Sequence, residues 1–212
     1  MAMQQRTSTR LYTYWNDVRK GRIAPCRFDI EPARLADILP ETFMLERNTQ
    51  TCYRFRLAGT RMCEYFQAEF RGNDFLEGWC EADRFTLEHY FSEITDRGAA
   101  ALFTLECKSE DSKAAMFEMM ILPLVHTQNT IDRYLGSMSP LNRPDWLGRT
   151  KLVEKKLVRH ELIWPEGRPH ALVERSNSQL PFLPHIRSAR IVRNARRQFR
   201  VYDGGLSKSD NE

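Results

Sequence analysis

The sequence predicts an α/β protein of the α+β type, in which a five-stranded antiparallel sheet carries helices on one face. Two strand-like runs come first, a helix with a continuous apolar stripe follows, and three further strand-like runs come after that helix. The links between the last three runs are short and polar, which is typical of antiparallel hairpins. An N-terminal helical cap precedes the sheet, and an irregular C-terminal extension follows it.

The first helix of the cap carries one apolar face and ends at Gly21. Four large side chains recur at helical spacing and form that face: Leu11, Tyr14, Trp15 and Val18. This face has to be buried, either against the chain's own sheet or against a second subunit, so the four residues are candidates for the cap interface or for the contact of a predicted homodimer. A second short helix is predicted to begin near Pro32 and to end before Pro40.

The predicted sheet begins with a hairpin formed by residues 42–46 and 51–58. Hydrophobic and charged residues alternate in its second strand, and successive side chains of a strand point to opposite faces. One face of this strand is therefore predicted to hold Tyr53, Phe55 and Leu57.

A longer helix is predicted over residues 81–97, with Gly98 as its C-cap. The three strand-like runs that follow it are residues 99–108, 113–125 and 130–136. Residues 151–160 fit either a strand or a helix. Prolines recur beyond residue 137, and the sequence therefore predicts three regions: a cap over 1–41, a sheet core over 42–141 and a basic extension over 142–212.

Several motifs along the chain carry a resemblance to a known family. Residues 14–46 contain a Tyr-Trp helix, a Gly-Arg-x-x-Pro turn and a Leu-Pro pair before the first strand; RFRLAGT follows at 54–60, IDRYLGSMSP at 131–140 and FRVYDGG at 199–205. With these motifs the chain resembles a bacterial PAS family known mainly from alphaproteobacteria, over about residues 11–141. The resemblance implies a stand-alone PAS fold and a non-catalytic sensory or regulatory module, without a shared set of catalytic residues.

The apolar side chains predicted on the helix-covered side of the sheet are candidates for a ligand pocket. They are Phe55, Leu57, Leu87, Tyr90, Phe91, Ile94, Phe103, Leu105, Phe117, Met119 and Ile121. Alternatively, the same side chains fill a closed core, because packed interiors leave few voids. If a small molecule or a signalling partner binds, we expect it to change the packing of the cap and the surface that a dimer presents.

The sequence disfavours the cofactors that other PAS domains bind, and the cofactor stays unknown. At about 100° per residue, His89 points away from the apolar stripe of its helix, whereas a haem ligand has to face the pocket. No Asn-Cys-Arg-Phe-Leu-Gln-like run is present for a light-reactive flavin. Histidine spacing predicts no metal site, and nothing near Cys63, Cys80 or His126 supports a nucleophile and base pair, so no enzyme is predicted.

Cysteine usage and the N-terminus indicate the compartment. The five cysteines include no C-x-x-C pair, and the N-terminus lacks the apolar run of a secretion signal. No segment approaches the roughly 18 apolar residues of a membrane-spanning helix. The sequence predicts a cytoplasmic protein that does not enter a membrane.

An arginine-rich segment near the C-terminus carries the alternative function. Its candidates for anion binding are Arg190, Arg193, Arg196, Arg197 and Arg200. On a helix, three of these arginines would form one stripe that contacts phosphates, as in a nucleic-acid or nucleotide-binding regulator. As a strand, the segment would instead add to a sheet, and a third alternative is a solvated basic tail.

Overall fold

A six-stranded antiparallel sheet organises most of the chain in the computed structural model, which describes residues 3–49, 51–126, 130–167 and, as backbone only, 190–194 and 197–201. The chain divides into two units, Met1–Val173 and Glu174–Glu212. The sheet lies in the first unit.

The sheet contains one strand more than the five that the sequence predicts. The strands are β1 (Thr42–Thr49), β2 (Cys52–Ala58), β3 (Ala100–Ser109), β4 (Ala114–Val125), β5 (Ile131–Pro140) and β6 (Leu152–Ile163). Their spatial order is β2-β1-β5-β4-β3-β6, so the predicted α+β fold is confirmed. The additional strand, β6, pairs with β3 along almost its whole length, from Ala100 opposite Ile163 to Ser109 opposite Leu152. Residues 151–160, for which the sequence allowed a strand or a helix, are thus part of a strand. The predicted C-terminal extension, residues 142–212, is therefore not irregular at this point.

The helices flank the sheet in two groups. The first group contains α1 (Arg6–Arg19) and three short 3₁₀ helices at Arg27–Asp29, Pro32–Leu35 and Leu39–Glu41. The second contains α2 (Thr60–Phe66) and α3 (Glu81–Arg97). The predicted second cap helix is thus a pair of 3₁₀ turns, each with a proline at its start. None of the helices in the described ranges is long and apolar enough to cross a membrane.

The two groups of helices cover opposite faces of the sheet. We call the face under α2 and α3 the helix-covered face and the face under the cap (residues 3–41) the cap-covered face. On the helix-covered face, the ring of Phe91 in α3 stacks on Tyr53 in β2, with ring centroids 3.8 Å apart. On the other face, the cap (residues 3–41) packs on β4 and β5, and the indole N–H of Trp15 donates to the carbonyl oxygen of Pro123 at 2.8 Å. The cap-covered face therefore forms a second apolar layer.

A separate hairpin forms the described part of the second unit. Its strands are β7 (Arg190–Asn194) and β8 (Arg197–Val201), which pair antiparallel. The predicted extended stretch 179–186 and the predicted tail 204–212 lie outside the described residues.

Candidate ligand-binding groove

The helix-covered face brings most of the predicted pocket residues together. Nine of them are at most 4% exposed: Phe55, Leu87, Phe91, Ile94, Phe103, Leu105, Phe117, Met119 and Ile121. Tyr90 is half-buried at the border of this cluster, and its hydroxyl lies 2.8 Å from Nδ1 of His160 in β6. Ring contacts run through the cluster, for example from Tyr90 to Phe103 with centroids 5.0 Å apart.

The space left inside this face is small. A cavity of about 10 Å³ lies among aromatic and methionine side chains, and a single water molecule needs about that much room. Lys155 of β6 closes one side, where its ammonium group donates to the carbonyl oxygen of Glu77 at 3.0 Å and lies 4.8 Å from the ring centroid of Trp79. Burial lowers the pKa of Lys155. In this conformation the cluster is a filled core.

Leu57 is the predicted pocket residue that the structure places elsewhere. Met44 pairs with Leu57 and Leu45 pairs with Phe55, so Arg56 is an extra residue on β2 and forms a β-bulge. After the bulge the alternation of side chains is shifted by one residue. Leu57 therefore lies on the cap-covered face beside Met44, and 54% of its surface is exposed. The simple alternation used for the sequence prediction was wrong from Arg56 onward.

An apolar groove of about 250 Å³ lies between the 3₁₀ helices of the cap and the β1–β2 hairpin, beside Leu57. Its lining residues are Arg27, Ile30, Pro32, Leu35, Leu39, Thr42, Phe43, Met44, Leu57, Ala58, Gly59 and Leu135. Gly59 keeps the groove floor close to the cap, since a Cβ atom there would lie 2.3 Å from the carbonyl oxygen of Pro40. We call this space the cap groove.

A basic cleft of about 510 Å³ adjoins the cap groove. It is lined by Arg27, Phe28, Met44, Phe55, Arg56, Leu57, Arg71, Gly72, His126 and Arg133. Three of these residues, Arg27, Met44 and Leu57, also line the cap groove, so the apolar space and the basic space are direct neighbours.

The four arginines of the basic cleft fall into two pairs. Arg56 and Arg133 both contact the carboxylate of Glu46, and the Arg133 contact measures 2.7 Å. In the described ranges, no carboxylate lies within 4.0 Å of the guanidinium groups of Arg27 and Arg71. Glu69 is the nearest acid bonded to this pair, and it accepts from the backbone N–H of Arg71 at 3.2 Å rather than from its guanidinium group. Among the described residues, the second pair of guanidinium groups is therefore without an ion pair.

Exposed apolar side chains lie at both of these spaces. Among the described residues, six large apolar side chains are exposed, and three of them, Phe28, Leu39 and Leu57, line the groove or the cleft. Phe28 is 73% exposed, and its ring lies 5.4 Å from that of His126. Water contact with this much apolar surface is unfavourable, and an apolar ligand that covered it would gain free energy.

A buried carboxylate on β4 anchors the N-terminal end of the cap. Glu118 is fully buried and accepts hydrogen bonds from the backbone N–H groups of Gln4 and Gln5, at 2.7 and 3.0 Å. No side chain caps the start of α1, so the Glu118 carboxylate supplies the negative charge favoured at a helix N-terminus.

A second buried carboxylate, Glu41, joins the cap to three other elements. It accepts hydrogen bonds from the hydroxyl groups of Thr7 and Ser139, both at 2.7 Å. Its other oxygen contacts Arg61 at 3.3 Å and Arg143. Burial raises the pKa of Glu41, but these hydrogen bonds and the two positive charges outweigh burial and hold the pKa below its usual value.

The predicted interface face of α1 lies against the chain's own sheet. Leu11 and Trp15 have no exposed surface, Tyr14 is 6% exposed and Val18 is half-buried. The hydroxyl of Tyr14 accepts a hydrogen bond from the N–H of Glu31 at 2.7 Å, which ties α1 to the 3₁₀ segment. Of the two alternatives for this face, intramolecular packing is the one observed.

The candidate anion-binding arginines lie in a hairpin rather than on a helix. Arg190 and Arg193 belong to β7, Arg197 and Arg200 belong to β8, and Arg196 lies outside the described residues. A helical spacing has no meaning on an extended backbone, so the predicted helical stripe does not form here. Anion binding by this segment stays a prediction.

The cysteines and histidines considered for chemistry are dispersed. Cys63 lies in α2, Cys80 precedes α3, and His126 follows β4. Burial raises the pKa of the Cys63 thiol, which opposes formation of a thiolate. Within the described part of the chain, no group of three or more His, Cys, Asp or Glu side chains could hold a metal ion.

The cap groove and the basic cleft are the features that sequence reasoning missed. Both depend on the bulge at Arg56 and on the 3₁₀ path of the cap, neither of which has a clear sequence signal. Phe28, next to Arg27, is the one available hint, because an aromatic residue beside charged neighbours in a loop has no apolar stripe to join.

A family model described as "PAS domain" matches residues 3–139, which include the cap, strands β1 to β4 and all but the last residue of β5. No curated protein matches the chain.

Proposed function

The chain belongs to the PAS domain family, and on that premise we propose that this sensory or regulatory module binds its ligand between the cap and the sheet. The observation that carries the proposal is the contrast between the two faces. The helix-covered face retains about 10 Å³, whereas the cap groove offers about 250 Å³ beside an exposed leucine, Leu57. Mostly apolar pockets with few polar groups are the usual small-molecule sites of proteins.

The cap is the element that we propose to carry the signal. A ligand in the cap groove would contact the 3₁₀ helices on one side and the β1–β2 hairpin on the other, so its binding free energy depends on how the cap is docked. A ligand shifts such an equilibrium only by its difference in affinity for the two states. Glu41 and Glu118 define the docked state, because both carboxylates bond the cap to the sheet.

Dimerisation belongs to the same proposal, but its contact has to use other residues than the buried face of α1. The remaining exposed apolar side chains of the described residues are Phe85 on α3 and Val153 and Val158 on β6. We also propose a non-catalytic protein of the cytoplasm. All five cysteines are free, which suits a reducing compartment.

The test uses an apolar fluorescent dye, 8-anilinonaphthalene-1-sulfonate, and a matched pair of variants. Leu57 and Val153 are both 54% exposed, and only Leu57 lines the cap groove. Covering half of a leucine side chain contributes about 1 kcal/mol, or about a fivefold change in affinity. We expect Leu57→Ser to weaken dye binding by about that factor and Val153→Ser to leave it unchanged.

A native mass spectrum of the purified wild-type protein, compared with its denatured spectrum, would show any ligand that copurifies. The proposal fails if Leu57→Ser and Val153→Ser bind the dye as well as the wild-type chain does. Weaker binding by Val153→Ser alone would place the apolar site at β6 instead and would also contradict the proposal.

A further inference from the structure

We propose that the ligand of the cap groove is an amphipathic monocarboxylate, whose hydrocarbon tail lies in the groove and whose carboxylate binds Arg27 and Arg71. This inference rests on the proposed function, because it names the chemical class of the ligand for the same site. It follows from the three residues that line both spaces, from the charge of the basic cleft and from the apolar lining of the cap groove.

Arg27 and Arg71 approach the basic cleft from two different elements. Arg27 lies in the cap, in a 3₁₀ helix whose start is fixed where the N–H of Cys26 donates to Asp29 at 3.0 Å. Arg71 lies between α2 and α3, in a turn tied to β2 because the N–H of Gly72 donates to the carbonyl oxygen of Phe55 at 2.8 Å. An anion between the two guanidinium groups would therefore link the cap to the helix-covered side of the chain.

The charge of these two arginines is available to a ligand. Arg56 and Arg133 already share the carboxylate of Glu46, and Arg133 also contacts Asp132 at 3.4 Å. Arg27 and Arg71 have no such partner among the described residues. A guanidinium group binds a carboxylate through two parallel hydrogen bonds, which makes a carboxylate head group a good complement.

The lining of the cap groove excludes a strongly polar ligand body. Ile30, Leu35, Leu39, Met44 and Leu57 are among the residues that line it. A sugar or a nucleobase placed there would lose hydrogen bonds to water without replacing them, which is costly. A hydrocarbon chain makes no hydrogen bonds to water, so it loses none when it enters the groove. The cleft and the groove together thus favour one charged end and one apolar end in the same molecule.

The experiment compares decanoate, decan-1-ol and acetate by calorimetric titration of the full chain. Decanoate carries both the tail and the charge, decan-1-ol carries the tail only, and acetate carries the charge only. We expect decanoate to bind about tenfold more tightly than decan-1-ol, a difference of about 1.4 kcal/mol. Acetate should not bind measurably, and added salt should weaken decanoate more than decan-1-ol.

The matched variants are Arg27→Gln with Arg71→Gln in one chain, and Arg149→Gln as the control. Arg149 is exposed and, within the described ranges, has no ion pair, and it lies outside both the groove and the cleft. The double variant should bind decanoate only as tightly as decan-1-ol, and Arg149→Gln should bind it like the wild type.

Three other outcomes overturn the inference and can be told apart. Equal affinity for decanoate and decan-1-ol, with a normal effect of Leu57→Ser on both, would refute the carboxylate assignment and keep the apolar ligand site. If neither compound binds and Leu57→Ser does not change dye binding, the proposed function fails as well. Acetate binding that Arg27→Gln with Arg71→Gln removes, without any binding of decanoate, would indicate a site for small anions and would also overturn the inference.

Discussion

Replacing Glu41 by Gln tests whether a buried charge holds the cap on the sheet. Glu41 is 4% exposed and bonds Thr7 of α1, Ser139 of β5 and two arginines. The variant keeps the shape of the side chain. Its amide group donates to the two hydroxyl groups, which accept as well as donate, and its oxygen faces the guanidinium groups. What the variant removes is the negative charge.

The structure sets the size of the effect. Four hydrogen bonds lose charge assistance, each a change of about 0.5–1 kcal/mol. The side chains of Arg61 and Arg143 are 45% and 54% exposed, so hydration returns part of this loss. We expect the free energy of unfolding to fall by about 2 kcal/mol, which lowers Tm by about 4–8 °C for a unit of this size.

The assay is thermal unfolding of the wild type and of Glu41→Gln between pH 7 and pH 3. The folded-state pKa of Glu41 is lowered, so its contribution is complete above the unfolded pKa of about 4.3 and is lost as the pH falls through the folded pKa. The difference in Tm should therefore shrink below about pH 4.3. Glu110→Gln, on an exposed turn, is the control and should change Tm by less than about 1 °C at either pH. A Tm difference that stays constant down to pH 3 would refute the argument from charge.

Two further variants test other parts of the description. Glu118→Gln should leave one of the two N–H groups at the start of α1 facing an amide NH2 group, which cannot accept, and the other bonded to a neutral carbonyl oxygen. The increase in the rate of hydrogen exchange should therefore be larger in α1 than in α3; equal changes in the two helices would contradict a local role in docking the cap. Arg193→Gln with Arg197→Gln should weaken the binding of a single-stranded oligonucleotide and reduce its dependence on salt if the arginine segment binds phosphates, and an unchanged salt dependence would exclude that role.

The elements with strong periodicity were predictable from sequence. The apolar stripe of α1 and the Gly98 C-cap of α3 both appear where the sequence places them, because each depends on local spacing or backbone conformation. β6 was ambiguous for the opposite reason. Its alternation is weak, and only the open edge of β3 decides that the segment is a strand.

The candidate site was much less predictable. The bulge at Arg56 reverses the face of Leu57, and no turn residue or proline marks it in the sequence. The cap groove also needs residues about 20 positions apart, such as Leu35 and Leu57, to meet across two elements. Such a meeting depends on tertiary packing, which a single sequence does not encode in any local pattern.

The position of β6 has a consequence for any attempt to graft this module onto another protein. The family match ends at residue 139, but β6 begins at Leu152 and supplies the outer neighbour of β3. A chimera that contains the chain only up to residue 139 would lack β6 and leave β3 as an open edge strand. Three residues of β3, Leu102, Leu105 and Cys107, have no exposed surface in the intact sheet. Open edge strands pair with strands of other chains, which leads to aggregation. A chimera that contains the chain beyond Ile163 would keep β6 paired with β3, so the module to transplant is longer than the range that the family model matches.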